Sequence, residues 1–260
     1  MLLAMDVGNT NITLGVFEFE NSKPRKSPMR IWRLATNLSS TSDEYGTKIL
    51  DFFHYSMISV EDVKAVAVAS VVPVLDGVIE ELSIQYFKKK PYFVKAETQK
   101  YLKVLHDNPV EIGADRVANA AAAIEFFKAP CVVIDFGTAT TFDCINKKGE
   151  YMGGVIIPGP RIAAEALSRR TAKLPRVDIK KTDTVIRRST VQSIQSGLYY
   201  GYIGMIKELL KRVVSEIGGK PVVIATGGLS DVILNDVKEV QKVVPELTLE
   251  GIRIIWQKSN

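Results

Sequence analysis

Two cysteines and two histidines in 260 residues leave little material for a metal cluster or a disulfide framework. Cys131 and Cys144 sit among apolar, strand-like residues without a CxxC or Cys/His grouping, which excludes zinc-finger spacing and points to a reducing compartment. No apolar run approaches the ~18 residues of a membrane span. The start, Met1-Leu2-Leu3-Ala4-Met5-Asp6, lacks a basic stretch and meets a carboxylate too early for a signal peptide, so a cytoplasmic protein without a membrane partner is expected. Charge of one sign is not massed either. The net charge is +5 and the pI about 9.0, yet Lys and Arg are spread along the chain with only short runs such as Lys88-Lys89-Lys90. Nucleic acid is therefore not an expected partner, whereas a phosphate-bearing small molecule suits the mild excess. Two familiar phosphate signatures are missing: GxxxxGK[ST], and a GxGxxG opening a helix after the first strand.

What is present belongs to an ordinary folded chain, 46% hydrophobic and 24% charged, long enough for two modest domains or one large one. Leu2–Met5 are apolar and end at Asp6, Gly8-Asn9-Thr10-Asn11 turn, and Ile12–Phe19 alternate in strand fashion. Further strands are predicted at Ile31–Ala35, within Ala65–Val72, at Pro91–Val94 and at Pro221–Ala225. Helices are predicted from the cap residues Thr41-Ser42-Asp43-Glu44 to Tyr55, and over Leu75–Phe87, Val117–Phe127, Ala163–Ser168, Gln192–Ser215 and Asp231–Val240. Thr98–Glu111 and Leu174–Thr190 read as loops, and Leu247–Trp256 as a terminal segment with some strand character. The second half begins as the first does: Cys131–Ile134 end at Asp135, Phe136–Thr141 turn, and Phe142–Ile145 alternate. A hairpin repeated about half a chain apart indicates a duplicated domain rather than a short-period solenoid, with lobes at 1–118 and 119–260.

Asp6-Val7-Gly8-Asn9-Thr10 and Asp135-Phe136-Gly137-Thr138-Ala139-Thr140-Thr141 each place a carboxylate at a strand end, then glycine, then hydroxyl or amide side chains in a hairpin. The glycine lets backbone approach a phosphate, the N–H and O–H groups donate to its oxygens, and the carboxylate can hold a hydrated divalent cation. The same residue types also build plain tight turns, but two copies, each after a buried strand, favour phosphate. Thr226-Gly227-Gly228, after another apolar strand, suits close approach to a nucleotide's ribose or base, or is simply a turn. A loop delivers Gly113-Ala114-Asp115-Arg116 to the N-terminus of an Ala-rich helix.

In this order, DVGNT, GADR, DFGTATT and TGG resemble the type III pantothenate kinases, members of the acetate kinase, sugar kinase, heat-shock chaperone and actin superfamily. Ala69–Pro73, Gly153-Gly154, Pro158-Gly159 and Thr171–Pro175 are similar to the same pattern. The resemblance implies an α/β, two-lobed actin-like (ribonuclease H-like) ATPase fold of duplicated mixed-sheet domains with a nucleotide cleft between them. It also implies ATP-dependent phosphorylation of pantothenate to 4′-phosphopantothenate, the first step of coenzyme A biosynthesis, in a homodimer using Mg2+ and a monovalent cation, K+ or NH4+.

By the same resemblance, Asp6, Val7, Gly8, Asn9, Thr10, Asn11, Ile12 and Thr13 line the ATP phosphates, with Asp6 near magnesium. Thr138, Gly227 and Gly228 contact ATP, and Asp135 ligates the monovalent cation. Gly113, Ala114, Asp115 and Arg116 hold pantothenate, with Asp115 as proton acceptor; read from the residues themselves, an Asp beside an Arg can stay ionised for that task. An ordinary helix-start acid with an exposed ion pair is the competing role for Asp115. Thr190 contacts substrate or caps a helix. His106, before Asp107-Asn108-Pro109, stands where an aromatic substrate contact, often Tyr, is expected. Two other functions remain open: a different kinase of the superfamily, acting on acetate or a sugar, and a non-catalytic nucleotide-binding regulator. Short length and the GADR spacing weigh against the first, and the joint presence of Asp6, Asp115 and Asp135 against the second.

Overall fold

Leu2–Val7 forms strand β1, which turns back at once into the antiparallel β2, Asn11–Phe17, in a computed structural model that describes residues 1–228 and 234–259. The chain separates into two units, Met1–Ala122 with the segment from Glu246 onward, and Ala123–Pro245.

In the first unit a short hairpin, β3 (Phe19–Glu20) and β4 (Lys23–Pro24), precedes β5 (Arg30–Ala35), helix α1 (Ser42–Tyr55), β6 (Ala65–Ser70), helix α2 (Pro73–Phe87) and β7 (Tyr92–Phe93). The sheet order is β5-β2-β1-β6-β7, antiparallel on the β2 side of β1 and parallel on the β6 side. Helix α1 starts where the sequence places its caps. Glu44 N–H donates to Thr41 Oγ1 at 3.2 Å and Thr41 N–H to Glu44 Oε2 at 2.8 Å, a reciprocal capping box. The alternate residues Leu3, Met5 and Val7 of β1 join Tyr45, Ile49 and Phe53 of α1 and Leu75, Ile79 and Leu82 of α2 in one apolar core.

Helix α3 (Ala114–Phe127) leads into the second unit, which repeats the first in sheet topology. It contains β8 (Cys131–Phe136), β9 (Ala139–Ile145), β10 (Tyr151–Pro158), α4 (Pro160–Arg169), α5 (Thr190–Ile217), β11 (Val222–Thr226) and β12 (Lys242–Val243). The order β10-β9-β8-β11-β12 has the same polarities as the first sheet. β1 and β8 also share one burial pattern, in which Asp6 and Asp135 are the half-buried residues of otherwise buried strands. Cys131 lies opposite Ile145 and Cys144 opposite Val132, so the two thiols project from opposite faces of the sheet. Burial, aided by Cys144, pushes the Cys131 thiol up to about 12, which leaves it an unreactive core residue. The irregular segment after α4 is held by side chains of α5: Tyr200 donates to Thr182 O at 2.7 Å and Ser196 to Val185 O at 2.6 Å.

Three expectations change. Leu247–Ser259 is a helix, α6, not strand-like. It is buried on nearly every side, so it shows no single apolar stripe, and its buried Glu250 and Arg253 satisfy each other at 2.8 Å across one helical turn. Second, α6 belongs with the first unit rather than with a lobe at 119–260, because it packs on β1, β2 and β6 and covers the sheet face opposite α1 and α2. Third, residues 231–233 of the helix expected over Asp231–Val240 lie outside the described residues, and the described remainder contains a 3-10 turn at Leu234–Asp236. Among the described residues no helix is long and apolar enough to cross a membrane.

Candidate active site

The first hairpin is braced from both sides. Gly8 N–H donates to Asn11 O at 3.0 Å within the turn, while Thr36, just past β5, donates through Oγ1 to Gly8 O at 2.6 Å and through N–H to Thr10 O at 3.0 Å. Asn9, Thr10 and Asn11 are exposed, and Asp6 lies directly across the ladder from Thr13. The Val7 and Ile12 side chains are buried in the core, which leaves only their backbone for a ligand to meet. The hairpin thus offers one carboxylate, exposed hydroxyl and amide groups, and a fixed backbone. No group of three or more metal-ligating side chains occurs among the described residues. A single carboxylate at a phosphate loop still fits magnesium, which keeps most of its waters and takes other ligands from phosphate.

Val71 connects this hairpin to the second motif of the same unit. Its N–H donates to Val7 O at 3.0 Å, and its Cγ1 would lie 3.2 Å from a Cβ built on Gly113. That Cβ would also fall 2.5 Å from Asp115 Oδ1, so a glycine at 113 is what allows the Asp115 carboxylate to fold back over the start of α3. Arg116 N–H donates to Asp115 Oδ1 at 2.7 Å, whereas Oδ2 receives no hydrogen bond from a side chain among the described residues.

By surface area Asp115 is only half-buried, but the protein around it excludes enough water to raise its carboxyl above the usual carboxylate range. The Arg116 N–H and charge pull the other way and are outweighed. The neighbouring Arg does favour the ionised carboxylate, but desolvation is the larger effect. A raised carboxyl is a stronger base once ionised.

Gly113→Ala is expected to separate stability from activity. The added methyl meets the end of a short side chain rather than backbone, so the melting temperature should change little, while the displaced carboxylate should lower turnover about tenfold or more. Thermal melts and kcat measured on the same preparation check this.

His106 is tied to the turn leading into Gly113: its Nδ1 lies 3.0 Å from Asn108 O and 3.2 Å from Asn108 N. In the second unit, Asp135 and the Thr226-Gly227 corner come together, since Thr226 pairs with Asp135 across the sheet. Gly227 has φ +92°, and a Cβ there would lie 2.6 Å from both Asp135 Oδ1 and Phe136 N, so only glycine fits. Gly228 follows in an exposed turn. Thr138 is exposed in its loop, and its carbonyl accepts from Gly159 N–H at 3.0 Å at the start of α4. Thr190 is the first residue of α5, but the cap is Ser189, whose hydroxyl accepts from Gln192 N–H at 3.3 Å. The capping role is therefore taken, and the exposed Thr190 hydroxyl does not perform it. Thr36 was not among the sequence candidates, because nothing local marks a residue that braces a loop distant in sequence, and Val71 lay in the family-like stretch Ala69–Pro73 without a role of its own.

The model of the type III pantothenate kinase family matches residues 2–212. A type III pantothenate kinase of Geobacter sulfurreducens is 45% identical over 260 residues, covering 100% of both chains. Among solved structures, a Campylobacter jejuni protein described as a Baf family transcriptional activator is similar with a TM-score of 0.57 and 17% identity, over 99% of this chain and 98% of that one. The activator of 2-hydroxyisocaproyl-CoA dehydratase from Clostridium difficile follows at 0.54 and 13% identity, over 99% of this chain and 94% of that one. At such identities these structures speak to fold alone, and the fold is that of the actin-like ATPases and sugar kinases. With a family model spanning most of the chain and full-length relatives at this identity, the chain belongs to the type III pantothenate kinase family.

Proposed function

We propose that this chain phosphorylates pantothenate on its primary hydroxyl with ATP, giving 4′-phosphopantothenate and ADP, as a cytoplasmic enzyme opening coenzyme A biosynthesis. The observation that carries the reading is Asp115: a carboxylate raised by burial, held by its own helix start over a glycine, in a unit whose first hairpin carries the Asp6 phosphate loop. In this proposal Asp115 accepts the hydroxyl proton as the oxygen attacks the γ-phosphorus, and Gly113, Ala114, Arg116, His106 and Thr190 hold pantothenate. Residues Asp6 to Thr13 hold the ATP phosphates through the turn's N–H groups and hydroxyls, and Thr138, Gly227 and Gly228 contact the nucleotide. Asp6 would hold magnesium, which when bound would supply charge neutralisation of the phosphates. Phosphoryl transfer draws most of its acceleration from such positioning and charge neutralisation, which suits the first hairpin, braced by Thr36. Transfer is tested by incubating the protein with ATP, magnesium, potassium and pantothenate and following phosphorus NMR. A new phosphomonoester resonance supports the reading; ATP left intact, or hydrolysed only to inorganic phosphate, opposes it.

Asp135 is the proposed monovalent-cation ligand, supported by its place at the strand end beside the Gly227 corner. Replacing potassium by sodium at constant ionic strength is expected to lower the rate about tenfold or more, the cost of one electrostatic contact at the site. Equal rates in the two salts would remove this role. A homodimer is also proposed. On α5, Gly197, Gly201 and Gly204 lie on one exposed face with nothing within 4 Å of a built Cβ, which leaves a flat strip for a second helix. Light scattering on the purified protein is expected to give twice the 28.7 kDa chain mass, and a monomer mass at assay concentration opposes the dimer.

A further inference from the structure

Helix α6 touches α3 immediately behind Asp115. Thr248 Oγ1 donates to Asn119 Oδ1 at 2.8 Å, with Asn119 fully buried and Thr248 9% exposed. One turn further along α6, Gly251 faces the backbone of Ala118 so closely that a Cβ there would lie 2.7 Å from Ala118 Cα and overlap its carbonyl. Asn119 and Ala118 are four and three residues after Asp115, so they occupy the turn that underlies it on the same side of the helix.

The rest of this face is smooth. Ala118 and Ala122, one helical turn apart, are both fully buried, and methyl groups alone define the depth of a helix better than its rotation or its sliding along its axis. A buried hydrogen bond between two side chains is directional and sets both. Gly113, the residue before α3, has no side chain with which to cap the helix.

We infer that Thr248, acting through Asn119, is a positioning residue for the Asp115 carboxylate, so that the C-terminal helix completes the catalytic unit of the first half of the chain. The inference rests on the reading of Asp115 as proton acceptor. A general base must sit within hydrogen-bond reach of the proton it removes, and a displacement of about 1 Å costs on the order of 10²-fold in rate. The Asp6 loop is held by its own turn and by Thr36, not by Thr248 or Asn119, so ATP binding should be affected far less than turnover.

The test compares Thr248→Val, which keeps shape and removes the donor, with Thr248→Ser, which keeps the donor. Thr248→Ala replaces the valine if that variant does not fold. Steady-state kinetics are run well below each melting temperature. Thr248→Val is expected to lower kcat about tenfold or more with the KM for ATP within about twofold, and Thr248→Ser to stay within about twofold of the parent in both. A merely structural role would lower the melting temperature without this division and without rescue by serine. Unchanged kcat in Thr248→Val, or equal impairment of Thr248→Ser, overturns the inference. Asp115→Asn is assayed alongside. If it retains turnover, the proton-acceptor reading fails and the inference fails with it; if it loses turnover while Thr248→Val does not, the positioning alone is wrong.

Discussion

Asp115→Asn is expected to lower kcat by roughly 10²-fold or more and, at neutral pH, to raise the melting temperature. The first effect follows from loss of the proton acceptor. The second follows from the energetics of the carboxylate, whose environment disfavours its charge chiefly through burial, against the opposing pull of Arg116. Its folded-state pKa is raised above the unfolded value of ~3.9. Between those two values the folded chain binds more protons than the unfolded one, so the Asp115 contribution to stability falls as pH rises through that window. Above the raised value the full cost of an ionised, desolvated carboxylate is present. Asparagine keeps an oxygen for the Arg116 N–H and carries no charge, so its stability advantage should be greatest at neutral pH and disappear below ~4. The acid limb of the parent's pH–rate profile should likewise lie above the ordinary aspartate range. Melts of parent and variant across pH, with kcat at each point, check all three. An Asn variant that is less stable at neutral pH and no less active would contradict both roles.

Gly251→Ala is expected to be the most damaging single-methyl change in the first unit. The new Cβ would overlap the Ala118 carbonyl, and backbone on the opposing helix cannot swing aside as a side-chain tip can. Relief requires α3 and α6 to separate along a face of fully buried alanines, which opens voids beside the contact. The cost is expected to be about 3 kcal/mol or more, at the upper end of overpacking. A denaturant titration of the variant reads it as a lowered midpoint with an unchanged slope. A midpoint equal to that of the parent would mean that the helices do not approach at this point.

Which features could be read from the chain depended on how local their causes are. The two hairpins and the start of α1 are encoded within a few residues each: Asp, Gly, Asn and Thr after a buried strand, and Thr41 with Glu44 three residues later. Because the hairpin recurs, the duplication was legible too, and the shared sheet order follows it. At the start of α5 the sequence offered Thr190 as a cap or a substrate contact, and the geometry places the cap one residue earlier, at Ser189.

Non-local causes were hidden. Helix α6 is apolar on most sides because sheet and helix both cover it, and its Leu247-Thr248-Leu249-Glu250 opening mimics strand alternation. Its return to the first unit could not be seen from a boundary drawn by internal repeat. Asp115 was read through its neighbour Arg116, whereas its ionisation is governed by how much protein surrounds it. The brace from Thr36 to the first loop and the Thr248–Asn119 bond join residues far apart in sequence, and no local pattern announces either.

The most direct test of the account is the rate of ADP formation by the purified protein with ATP, magnesium and potassium, in the absence of any acceptor and with pantothenate, acetate or a panel of sugars. The account predicts a slow rate without acceptor, a large increase with pantothenate and none with the others. ADP formation that ignores pantothenate, or that rises with acetate or a sugar instead, would contradict it.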